Sequence, residues 1–102
     1  MSEFVLHPEA YADLEEIWEY IAAENLDAAD RVIEEIFQSI RSLVPFPHVG
    51  HERRDLTIQP LRFQIVGSYL VAYAPDEKPL VVIALLHSRR SPRVIAALLN
   101  RR

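Results

Sequence analysis

The sequence predicts an α+β fold in the order β-α-α-β-β-β-α, with a helical hairpin on one face of a small, mostly antiparallel sheet and a short C-terminal helix. Three observations predict it. Leu61, Phe63 and Ile65 alternate with Arg62, Gln64 and Val66, the two-residue period of a strand with unlike faces. Two apolar stripes at three- and four-residue spacing precede that strand, joined only by Asn25-Leu26-Asp27, which forces an antiparallel helix pair. The run from Leu80 to Leu86 is apolar throughout, as expected of a strand covered on both faces.

Taken in order, Glu3 to Leu6 is a short strand. The first helix follows with His7 at the cap, Pro8 in the position that needs no N–H, and Glu9 facing the positive helix end. Tyr11, Leu14, Ile17, Trp18 and Ile21 form its stripe, which ends between Ala23 and Asn25. Asp27 is expected to cap the second helix, whose stripe is Val32, Ile33, Ile36, Phe37, Ile40, Leu43 and Val44, and Pro45 stops it. Trp18 and Phe37 read as core. Neither helix can bury its stripe alone, so the pair must lie on the sheet. Pro45 to Gln59 is a long irregular segment, and loops of that length in small domains carry function.

Gly67-Ser68 is a two-residue hairpin turn of type II′, and Tyr69 to Ala74 is the return strand. A Pro-Asp-Glu-Lys-Pro turn leads to Leu80–Leu86. Ser91 and Pro92 start the last helix, whose apolar side is Val94, Ile95, Leu98 and Leu99, while residues 100–102 extend into solvent. The first strand is expected to pair antiparallel beside the strand from Leu61. If the helices cover the Leu61/Phe63 side, Arg62 points from the bare, concave side.

The 102 residues make a single domain, with no repeat or internal boundary. The absence of cysteine excludes disulfides, thiolate zinc sites and a thiol nucleophile. No secretory signal or membrane-length apolar run is visible, so a cytoplasmic location is expected. The net charge of −4 conceals a split: two basic residues face eleven acids before Gly50, and nine face four from Gly50 onward. Such asymmetry suggests one surface that repels anions and one that attracts them.

The cationic residues carry the candidate sites. Arg53, Arg54, Arg62, Arg89, Arg90 and Arg93 form a prospective partner- or anion-binding surface, because guanidinium forks suit carboxylates and phosphates. For acid–base work, His87 is the natural candidate, with Glu52 as partner and Arg62 and Arg89 stabilising transition-state charge, which would make a metal-independent ribonuclease. His48 and His51, even with His87, have neither a helix to align them nor a carboxylate cluster, so no metal site is assigned. No glycine-rich phosphate loop or dinucleotide fingerprint is present, and no cofactor is implied.

These stretches, taken together, resemble the RelE/ParE toxins of bacterial type II toxin–antitoxin pairs. FVLHPEAYADLEEIWEYI resembles the family's opening strand and helix, with His7 where a serine or threonine is usual. AADRVIEEIFQSIRSLVPFPHVGHERRDL is similar to the second helix and its loop. LRFQIVGSYLVAYAPDEKPLVVIALLHSRRSP, ending in LLH-x-R-R, resembles the ParE-like branch most.

The resemblance implies a toxin that poisons DNA gyrase and is neutralised by a cognate antitoxin, whose C-terminal segment folds on binding. Because such complexes bind their promoter through the antitoxin, this chain is expected to make no direct operator contacts. Two alternatives stand beside it: a RelE-like, ribosome-dependent messenger RNA endonuclease using His87, Arg62, Arg89 and Glu52, and an inactive member serving as a binding scaffold. An acidic chain and Ser88, where RNA-cutting relatives often place an aromatic residue, favour the ParE-like reading.

Overall fold

The computed structural model describes residues 3–102. The chain runs β1 (Phe4–Leu6), α1 (Pro8–Ala22), α2 (Leu26–Leu43), a short 3-10 turn (Pro47–Val49), β2 (Arg62–Val66), β3 (Tyr69–Ala74), β4 (Leu80–His87) and α3 (Pro92–Asn100). The element order is the predicted one, and the sheet order is β1-β4-β3-β2.

β2, β3 and β4 form the antiparallel meander, with Gly67 at φ 59° opening its first turn. The pairing of β1 differs from expectation. It lies parallel to β4, with Phe4 opposite Leu80 and Leu6 opposite Val82, at the edge farthest from β2. An apolar strand left at the sheet edge would expose a row of unpaired backbone groups. β1 covers that edge of β4, but only as far as Val82.

Register then decides which side chain faces which layer. Arg62 stands opposite Tyr73, Gln64 opposite Val71 and Val66 opposite Tyr69. Val71 packs with Ala10, Leu14, Ile17, Ile36 and Ile40, so this is the face under the helical hairpin. Phe63, opposite Ala72, packs instead with Leu56, Ala84, Leu86, Ile95 and Leu99, under α3 and the loop. The expected bare, concave cationic face therefore does not exist. The hairpin covers the Arg62 side, and the reverse side is apolar and covered over Phe63 by α3. Ile65, beyond the reach of α3, is 64% exposed. β4 is buried against both layers, Val82 and Leu85 under the hairpin and Ala84 and Leu86 under α3.

Cap chemistry explains the helix limits. His7 Nδ1 accepts the Glu9 N–H at 3.1 Å, and Ser91 caps α3. Asn25 caps α2, its Oδ1 accepting from Ala28 N–H, in place of the expected Asp27, which lies inside the first turn. Of the two expected core aromatics, Phe37 packs at the core's margin and Trp18 does not join it. Trp18 is 37% exposed and donates its indole N–H to Asp30 across the hairpin, and Phe37 is half-buried between Phe4 and the Arg41 guanidinium. Arg102, expected in solvent, is held at the α1–β4 junction.

Candidate functional site

One end of the sheet is organised by a single glycine. Gly50 N–H donates to the Tyr73 hydroxyl at 3.0 Å, and that hydroxyl donates to Pro47 O at 2.7 Å. Arg62 Nη1 donates to Gly50 O at 3.0 Å. The loop is thus fastened to β2 and β3 through one fully buried tyrosine and one part-buried arginine. Burial pushes the Tyr73 phenol above the ordinary tyrosine pKa of 10.0, against the lowering pull of the Gly50 bond and Arg62. A phenol whose folded-state pKa is raised adds stability below its unfolded value, and loses it as pH climbs through the raised value. In an alkaline spectrophotometric titration, Tyr73→Phe is expected to remove a late-ionising component; an unchanged curve would contradict the assignment.

The three loop arginines share two carboxylates. Glu52 pairs with Arg62 at 3.2 Å and with Arg54 at 3.4 Å. Arg53 forms a two-bond fork on Asp55 (2.9 and 2.8 Å), which raises the Arg53 pKa and lowers that of Asp55. An open pocket of about 340 Å³ lies between these residues and the exposed His48–Asp76 pair. Glu52 and Asp55 thus offset most of the cationic charge at this pocket, and an incoming anion competes with them.

His87 lies at the opposite end. Arg62 stands opposite Tyr73 and Tyr73 opposite Val82, while His87 follows five residues farther along β4. At ~3.3 Å per residue that is roughly 16 Å, before the two-strand offset is added. The His87 constellation with Glu52 and Arg62 is therefore not assembled. The ring is also in structural use: its Nδ1 accepts the Arg89 N–H at 3.0 Å, which places the ring proton on Nε2. Its edge meets Tyr69, with ring centroids 5.3 Å apart at 74°. A pocket of about 360 Å³ adjoins it, with Tyr20, Glu16 and Arg90 among its walls. His48, His51 and His87 do not converge, and no cluster of three metal-ligating side chains occurs among the described residues.

Arg89, Arg90 and Arg93 differ from the loop arginines. All three are exposed, and none has a carboxylate partner among the described residues. The six expected anion-binding arginines thus divide into three paired ones at one end of the sheet and three unpaired ones at the other.

A second charged cluster escaped the sequence reading. Arg102 grips Asp13 through Nη1 and Nη2, at 2.6 and 3.0 Å, and reaches Glu9 through Nε at 3.0 Å. The Arg102 and Asp13 side chains are only 9% and 13% exposed. The Asp13 hydrogen bonds hold the Arg102 pKa above its ordinary value. The pair takes up where β1 stops: Asp13 accepts the Leu85 N–H and Arg102 donates to Ile83 O, satisfying the β4 edge. Eighty-nine positions separate the partners, and no local pattern links them. The only available signal was Asp13 on the rim of an apolar helix stripe.

With this geometry in hand, the likeness to known proteins can be placed. No curated protein matches this chain closely enough to count as a relative. The solved structure described as "Chromosomal ParDE TA system from P. aeruginosa" superposes with a TM-score of 0.68 at 15% identity, covering 84% of this chain and 98% of that one. At that identity the match speaks for the fold alone. The family model described as "ParE toxin of type II toxin-antitoxin system, parDE" matches residues 4–92. That span takes in every strand, the helical hairpin, the loop arginines, Arg89 and Arg90, and the start of α3, and the chain belongs to the ParE toxin family.

Proposed function

We propose that this chain is the toxin of a type II pair that inhibits DNA gyrase and is held inactive by a cognate antitoxin. The observation that carries the reading is the family match over residues 4–92. The separation of His87 from Arg62 and Glu52 adds to it, because acid–base cleavage of RNA needs such groups within hydrogen-bond reach of one reacting centre. Inhibition by binding needs no such centre. An antitoxin segment that folds on the toxin would bring acidic side chains to the unpaired Arg89, Arg90 and Arg93.

The test is a gyrase supercoiling assay with purified toxin, read for trapped, cleaved DNA. Trapping is expected with the wild-type chain, with His87→Ala retaining at least half the effect, and an equimolar antitoxin abolishing it. Loss of translated messenger RNA at ribosomes, without any gyrase effect, would overturn the proposal in favour of the nuclease. No effect in either assay would leave a binding scaffold.

A further inference from the structure

From Leu80 to Arg102 the chain carries five arginines and not one acid. Two of the five lie at the far end of α3, where Arg102 is consumed by Asp13 and Glu9. The other three, Arg89, Arg90 and Arg93, fall within five consecutive residues at the corner between β4 and α3. Elsewhere Arg41, Arg53, Arg54 and Arg62 have acidic partners, and the remaining cations without an ion pair among the described residues, Arg31, Lys78 and Arg101, are scattered singly along the chain. The concentration of unneutralised charge at this one corner is therefore specific to it.

The position is electrostatically unfavourable in the isolated chain. Arg93 lies in the first turn of a nine-residue helix, Arg89 and Arg90 immediately precede it, and that turn contains no acid. A helix N-terminus carries roughly half a positive charge and favours anions there. Three cations at that end repel one another and the helix dipole, and an arriving anion relieves both. Ser91 already satisfies the Val94 N–H, but Arg93 has a backbone N–H at the same exposed terminus. Local rules broken without internal compensation mark functional surface.

Side-chain chemistry selects among anions. Residues 88–94 are exposed throughout and include no aromatic side chain. Its own surface offers no ring to stack an unpaired base. Arg90 alone reaches back to the pocket holding Tyr20 and Tyr69. A close set of exposed cations fits an extended, regular wall of negative charge. Duplex DNA is such a wall, with about one charge per 1.7 Å of axis.

We propose that Arg89, Arg90 and Arg93 form a sequence-independent contact to the phosphodiester backbone of duplex DNA. It rests on the gyrase reading only for its setting: a toxin seated on a DNA-handling enzyme would meet duplex beside it. The contact reads no bases, because phosphate contacts position a protein without specifying sequence. It is thus distinct from operator recognition.

The test is fluorescence anisotropy of a labelled 20-base-pair duplex of arbitrary sequence, titrated with the full chain between 20 and 200 mM salt. Three phosphate contacts give a log–log slope of about −2.7, a loss of roughly 500-fold over that range. Arg89→Gln, Arg90→Gln and Arg93→Gln combined should bring the slope near zero. Each single variant should reduce it by about 0.9, which keeps the test decisive if the triple variant does not fold. Arg53→Gln with Arg54→Gln should leave it unchanged. A flat wild-type slope, or equal slopes for wild type and triple variant, overturns the contact. Tighter binding to the corresponding single strand overturns it in favour of unstacked-base recognition. DNA binding without gyrase trapping keeps the contact and removes the target; trapping without salt-dependent DNA binding does the reverse.

Discussion

Asp13→Ala is expected to lower the stability of the protein by about 3 kcal/mol, at the low end of what breaking a buried ion pair costs. The variant leaves the Arg102 guanidinium in a site only 9% exposed, with Glu9, itself half-exposed, as its remaining ion-pair partner. It also removes the acceptor for the Leu85 N–H beyond the end of β1. In a domain of this size a loss of that order lowers the melting temperature by at least ~12 °C.

The same disruption should loosen α3, whose final turn leads directly into Arg102. Native-state hydrogen exchange would show this as faster exchange at Leu98 and Leu99 than at Val71. Arg102→Ala leaves the opposite orphan, and the double variant measures how far the two side chains depend on each other. A fall of less than 1 kcal/mol for Asp13→Ala, with no coupling in the cycle, would show that solvent screens the pair.

Gly50→Ala is expected to cost roughly 2–3 kcal/mol, the range of an overpacked core combined with a weakened buried hydrogen bond. A Cβ built on Gly50 would clash with the Tyr73 hydroxyl and lie 3.0 Å from Phe63 O. Neither neighbour yields easily. Tyr73 is fully buried, and Phe63 O is backbone that accepts from His51 N–H. The relief available is to detach the loop, which breaks the Arg62–Gly50 bond as well.

Limited proteolysis should therefore cut between Pro45 and Gln59 in Gly50→Ala while leaving the wild type intact. Gly67→Ala is the contrast: it has φ 59° but nothing within 4 Å, so only the backbone strain of about 1–2 kcal/mol applies, and no loop is released. Equal protease resistance of Gly50→Ala and wild type would mean that the tyrosine latch does not hold the loop.

Both expectations rest on residues to which the sequence assigned other roles or none. Residue order alone made β2, β3 and β4 readable, because period-two alternation, a Gly-Ser turn and an unbroken apolar run are local signals. The hairpin of α1 and α2 was readable for the same reason, as was the Ser91–Pro92 start of α3. Arg62 was read from a correct premise to the wrong layer. Alternation says that it opposes Phe63, but only packing says which face the helices cover. The partners of Glu52 were misread because loop geometry brings Arg54 and Arg62 to it, while β4 carries His87 to the other end.

The amino-acid order by itself determined the succession of elements, the turn that joins β2 to β3, and an arginine-rich tail with no acid after Leu80. Tertiary structure alone decided that β1 pairs parallel with β4, that Arg102 closes on Asp13, and that only three of six candidate arginines are unpaired. The physical reason is range. Turn chemistry and hydrophobic period act over two to four residues. The pairing of a charge depends on which acids the finished fold brings within reach, and those can lie eighty-nine positions away.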